Sequence, residues 1–198
     1  MMDSLNIIYP SFFSGTFKRN FKKNNNNLLL MKVFTLIGFS NSGKTETIVE
    51  IIKELVNRGH TVNAVKSVHI EGFTMETEGK DSWRHWKAGA QTTAIRADNE
   101  TTIIIRKGLS IRELIPYFQC DYLVLEGFHE EKAIPKILCV STIEELNERL
   151  DESVFAISGQ ISNELDELKG IRVINGLTQT KELVNLIEER AIDSQKLV

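Results

Sequence analysis

Apolar residues along this chain fall into short continuous runs separated by amphipathic or polar stretches. The run VFTLI (Val33 to Ile37) is continuous, the pattern of a strand covered on both faces. Residues 44 to 58 then take a helical period, with Ile48, Ile51, Ile52 and Leu55 on one face and Gly59 placed as a C-terminal cap. A second apolar run, TVNAVKSVH, follows the turn at Arg58-Gly59-His60, so this segment predicts a βαβ unit with parallel strands and a right-handed crossover. Residues 71 to 80 are polar and bounded by glycine, which predicts a loop, and DSWRHWKAGA after them reads as a short helix capped by Asp81 or Ser82. The β-branched runs TTAIRA and TTIIIRKG flank the turn signal DNE, predicting a hairpin. DYLVLEGF, PKILCV and SVFAIS read as further strands, with an amphipathic segment at 142 to 150; IRVING and a helix from about Thr178 to Arg190 close the chain. Strands alternating with helices predict an α/β fold, a three-layer domain around a mainly parallel sheet with a β-hairpin excursion.

The first predicted strand runs directly into GFSNSGKT, residues 38 to 45. Gly38, Gly43, Lys44 and Thr45 fit the spacing G-x-x-x-x-G-K-[ST] of a phosphate-binding loop, and strand, loop and helix stand in the order that motif requires. Gly38 lets the chain turn sharply, and Gly43 accepts backbone angles closed to other residues. The backbone N–H groups of Ser40, Asn41, Ser42, Gly43, Lys44 and Thr45 can then converge as an anion nest at a helix N-terminus. In such a loop Lys44 reaches the β- and γ-phosphates and the Thr45 hydroxyl binds Mg²⁺. The domain is thus expected to be a P-loop NTPase domain over 31–198.

A P-loop also requires a carboxylate for the Mg²⁺ shell at the carboxyl end of a neighbouring strand. Asp121 and Glu126 bracket YLVL, and at about 3.3 Å per residue Asp121 lies roughly 15 Å away, at the opposite edge of the sheet. Glu126 is the candidate, and Gly127 permits close approach to phosphate. The loop from His69 to Asp81 leaves the same end of the second strand and can order around a γ-phosphate. Asp81 has three readings here: a metal ligand through water, a group positioning the attacking water, or a plain N-cap. Lys66 is a candidate phosphate contact, and His69 either meets a substrate or is simply exposed.

Composition narrows the class. The chain has 198 residues, a net charge of −3 and two cysteines, Cys120 and Cys139, far apart in sequence. The charge argues against a nucleic-acid binder, and no apolar run approaches the length of a membrane span. The cysteines predict buried thiols in a reducing, cytoplasmic setting. FKRNFKKNNNN is basic and asparagine-rich, so residues 1 to 30 are expected to be either over-read sequence upstream of a start at Met31 or a disordered arm.

Four pieces in order, GFSNSGKT (38–45), AVKSVHIEGFTMETEGKDSWRHWKAGA (64–90), DYLVLEGFHEEKAIPKI (121–137) and FAIS (155–158), resemble the MobB family of molybdopterin-guanine dinucleotide biosynthesis adapter proteins. The resemblance implies a GTP-binding homodimer with at most slow hydrolysis. It implies further that the protein assists a guanylyltransferase partner that attaches GMP to the molybdopterin cofactor. On that resemblance Lys44 and Thr45 carry phosphate and Mg²⁺, Glu126 is the Walker-B-type acid, Asp81 belongs to a switch-like loop, and the hairpin around 92 to 106 is a dimer element. Guanine preference comes from the resemblance alone, since no N-K-x-D signature stands in the chain. Two departures mark this sequence: Glu46 replaces the threonine usual after the P-loop Thr, with Thr47 as a partial substitute, and Ser67 replaces the histidine usual after Lys66. The competing readings are a GTP-dependent metallochaperone, disfavoured because the four histidines and two cysteines form no close ligand pairs in sequence, a small-molecule kinase, and an adapter with a vestigial site.

Overall fold

The run after Met31 forms β1 (Lys32–Gly38), the strand around which the main sheet is built. The structure, a computed structural model, describes residues 31–197; the expectation for residues 1 to 30 lies outside the described residues. From β1 the chain passes through α1 (Lys44–Asn57) to β2 (Val62–Lys66), then α2 (Asp81–Lys87) and the hairpin β3 (Thr92–Arg96) and β4 (Thr101–Ile105). It continues through α3 (Ile111–Leu114), β5 (Tyr122–Glu126), β6 (Lys136–Cys139), α4 (Ile143–Arg149) and β7 (Val154–Ser158). The small strands β8 (Glu167–Leu168) and β9 (Ile171–Arg172), helix α5 (Thr180–Arg190) and β10 (Ile192–Asp193) follow.

The main sheet has the order β2-β5-β1-β6-β7, all parallel, with β10 antiparallel against β1. On one side β1 aligns Lys32–Leu36 with Tyr122–Glu126; on the other β6 begins only opposite Thr35, and β10 pairs with Lys32 and Val33 below it. Side chains alternate across the sheet because successive strand residues point to opposite faces. Phe34 and Leu36 pack with Ile48, Ile51 and Leu55 of α1 and Leu183, Val184 and Ile187 of α5. Val33, Leu123 and Leu125 face Ile111 and Ile115 on the other side, and Ile37 and Leu138 face Leu146 of α4. Each fully buried Leu or Ile in these layers contributes about 1.5–3 kcal/mol. The expected three-layer α/β architecture with a mainly parallel sheet is the one observed.

The hairpin forms a separate two-stranded sheet. Its register pairs Ala94 with Ile103 and Ile95 with Thr102, so Ile95 and Ile103 stand on opposite faces, 46% and 60% exposed.

Two local expectations need correction. Neither Asp81 nor Ser82 caps α2: Lys80 takes the cap position in extended backbone, and Asp81 is the first helical residue. There its carboxylate favours the helix dipole instead of accepting a cap hydrogen bond. IRVING supplies only the two-residue β9 in a minor hairpin, and its Val173 makes a lone bridge to Ile157 of the main sheet.

Candidate functional site

The carboxyl ends of β2, β5 and β1 come together at one edge of the sheet, since Lys66 and Leu36 both align with Glu126. The loop leaving β1 takes left-handed backbone at Gly38 (φ 146°), Asn41 (φ 61°) and Gly43 (φ 86°). A Cβ on Gly38 would lie 1.9 Å from the Cys139 carbonyl oxygen of β6, so only glycine lets the loop cross that strand. Asn41 is the residue type besides glycine that best tolerates such angles. Ser42 is buried and donates its hydroxyl to the Phe39 carbonyl at 2.9 Å, bracing the turn from within. Gly43 occupies the cap position of α1, with no side chain to close the helix N-terminus. Its backbone rests on Gly159 after β7, where a Cβ would fall 2.5 Å from the Ser42 carbonyl oxygen.

The charged groups follow from this frame. The Lys44 ammonium donates to the Phe39 carbonyl, folding back over its own loop. Partial burial lowers the Lys44 pKa, opposed by Cys139 and Glu126 and assisted by Lys66 and Arg149. Glu126, with a side chain 13% exposed, forms an ion pair with Lys66. Ser40, Asn41 and Thr45 are exposed along the open side of the loop. The hydroxyl of Thr45 and the carboxylate of Glu126 are hard oxygen donors of the kind Mg²⁺ selects. Nest, helix start and these donors fit a nucleoside phosphate with Mg²⁺.

Asp81 is not brought to this edge by any contact seen here: its side chain is 88% exposed and lies 3.7 Å from Arg84 on its own helix. Thr47 does not stand in for the missing threonine. It is 2% exposed and fills the space beside Gly176, whereas Glu46 is exposed. Burial pushes the Cys139 thiol up to about 12, so it serves packing and not nucleophilic chemistry.

Several residues of this region escaped the sequence reading. Gly159 is the backing of the loop, signalled only by a glycine after a buried strand. Arg149, at the end of α4, stacks its guanidinium 4.5 Å from the Phe39 ring centroid and so adds a cation beside the loop. His69 and His129, apart in sequence, meet over the Gly127 carbonyl with ring centroids 5.3 Å apart, a pairing that spacing along the chain does not show. Among the described residues no three His, Cys, Asp or Glu side chains converge as a metal-binding group, and no helix is long and apolar enough to cross a membrane.

Comparison with known proteins supplies the lineage. The family model described as molybdopterin guanine dinucleotide synthesis protein B matches residues 33–160. A Haemophilus influenzae protein named molybdopterin-guanine dinucleotide biosynthesis adapter protein is 30% identical over 161 residues, covering 77% of this chain and 85% of its own length. The crystal structure of Bacillus subtilis MobB superposes with a TM-score of 0.67 at 26% identity, over 81% of this chain and 98% of that one. A MobB homologue from Bacillus stearothermophilus, at 19% identity and a TM-score of 0.60 over 80% and 99% of the two chains, shares the fold. The chain belongs to the MobB family, whose model spans the 38–45 loop, the Glu126 strand and the strand that backs the loop.

Proposed function

We propose that this protein binds GTP with Mg²⁺ at the 38–45 loop and serves as an adapter in forming the guanine dinucleotide of the molybdopterin cofactor. In this reading it works as a homodimer beside a guanylyltransferase partner and hydrolyses GTP slowly at most. The adapter role follows the name of the Haemophilus influenzae relative. The observation that carries nucleotide binding is the loop itself, with left-handed Gly38, Asn41 and Gly43 leading into the uncapped start of a 14-residue helix.

In this reading the N–H groups of Ser40 to Thr45 hold the phosphates and Lys44 leaves the Phe39 carbonyl to meet them. Thr45 and Glu126 would hold Mg²⁺, which would supply neutralising charge for the phosphates. Lys66 exchanges its partner Glu126 for phosphate oxygen. Asp81 reaches the site only through movement of the 67–80 loop, and its exposed position supports slow hydrolysis.

Calorimetry of the full chain with GTP and ATP in Mg²⁺ tests the proposal. GTP-selective binding that Lys44→Ala weakens at least about tenfold, the loss of one charge-assisted contact, supports it. Preference for ATP moves the small-molecule kinase to the front, and binding of neither nucleotide overturns the reading.

A further inference from the structure

The His69 and His129 imidazoles do more than touch. His69 Nε2 lies 3.3 Å from the Gly127 carbonyl oxygen and 3.2 Å from the Ser67 hydroxyl, and His129 Nδ1 lies 3.3 Å from the same carbonyl. Two ring nitrogens therefore face one carbonyl oxygen, that of the residue following Glu126. Around a tetrahedral ion bound at about 2.0–2.1 Å, neighbouring ligand atoms stand about 3.3–3.4 Å apart and two imidazole centroids about 5.2 Å apart. The observed separations are 3.3 Å and 5.3 Å, with the rings inclined at 62°.

The remaining nitrogen of His129 supports the same arrangement. His129 Nε2 lies 3.8 Å from the Glu130 carboxylate, which is 87% exposed. The Gly127 carbonyl accepts from both ring nitrogens, so each gives up that proton when an ion takes its place, and the Glu130 carboxylate stands at the outer nitrogen, where metal-ligating histidines usually have a partner. His69 is exposed and His129 half-buried, so an ion enters from solvent without disturbing the core.

We propose that His69, His129 and the Gly127 carbonyl form a binding site for a divalent transition-metal ion of the zinc class, with a fourth position open to water or to a donor carried by another molecule. Imidazole selects such ions over Mg²⁺, whose preferred ligands are hard oxygens. The site carries no anionic ligand of its own, which suits reversible loading. It adjoins the phosphate loop without sharing a residue with it, and it does not depend on the nucleotide reading.

Zinc titration of the full chain by calorimetry, in excess Mg²⁺ and without nucleotide, tests the proposal. Binding of one Zn²⁺ per chain is expected, weakened tenfold or more by His69→Gln or by His129→Gln. His60→Gln is the control, since His60 pairs with Glu188 at 3.6 Å, and it should leave binding unchanged. Co²⁺ in place of Zn²⁺ should give the intense visible bands of tetrahedral coordination in the wild type and lose them in either variant. Both variants alter surface side chains, and retained circular dichroism confirms their fold. Zinc affinity equal in wild type and both variants, or no zinc binding by the wild type, overturns the proposal.

Discussion

Lys136 opens β6 with a side chain 0% exposed, and its ammonium is answered at 2.6 Å by the Asp151 carboxylate, 38% exposed. A buried cation left alone costs far more than the intact pair contributes. Asp151→Asn should therefore lower the unfolding free energy by about 3 kcal/mol, measured by urea denaturation. The pH profile gives an independent check. Burial alone would raise the Asp151 carboxyl, but hydrogen bonds from Lys136 and from the Ser153 side chain and backbone outweigh it and hold the group below its ordinary value. A depressed folded pKa gives stability that is complete above the unfolded value of about 3.9 and is lost as pH falls through the folded one. The wild type should lose stability over that acid range, and Asp151→Asn should flatten this limb. Glycines at the loop divide in the same physical way. Gly159→Ala meets the Ser42 and Val140 carbonyls at 2.5 and 2.7 Å with φ at 90°, and should cost about 3 kcal/mol by overpacking and left-handed strain together. Gly43→Ala has nothing nearer than 3.7 Å and should cost about 1–2 kcal/mol from strain alone, a difference thermal melts resolve.

At the scale of elements, Glu76 ties the middle of the loop between β2 and α2 to the rest of the fold. Glu76 is 1% exposed and pairs with Arg106 just past β4, whose guanidinium lies 4.5 Å from the Trp86 ring centroid of α2. Glu76→Gln leaves Arg106 without its counter-charge, so amide exchange across 67–80 should accelerate about tenfold or more while the main sheet keeps its protection. No sequence pattern announces this tether, because thirty residues separate its partners and neither lies on a periodic face. The strands that position the site were legible for the opposite reason: burial on both faces writes itself as continuous apolar runs, and β1, β5, β6 and β7 all follow them. The 38–45 loop conformation was legible because its glycine requirement is local. Short elements were not. Two-residue β10 forms only because β6 starts late beside β1. The four-residue α3 does carry a local signal, the capping box of Ser110 and Glu113, that the apolar pattern alone passes over. The His69–His129 pair required the fold, since β2 and β5 must lie side by side before their following loops can meet.

The whole molecule presents one feature that its own core does not resolve. The β3–β4 hairpin forms a sheet apart from the main one and carries exposed Ile95 on one face and Ile103 on the other. Nearby in the chain, the tethered loop exposes Ile70 at 66% and Met75 at 82%. A two-stranded sheet on its own is marginal in water, and exposed apolar residues on both its faces raise the cost of leaving it unpartnered. A second copy of the chain satisfies both faces if the two hairpins interlock across a two-fold axis, since each then offers the same surface it receives. The homodimer proposed above thus predicts a sedimenting mass twice that of one chain at micromolar concentration. Ile103→Glu places a charge in the centre of that contact and should give the mass of a single chain. The main sheet lies apart from the hairpin, so its thermal transition should persist in the variant and nucleotide affinity at the 38–45 loop should change little. A wild-type chain that sediments as a monomer at these concentrations would refute the pairing.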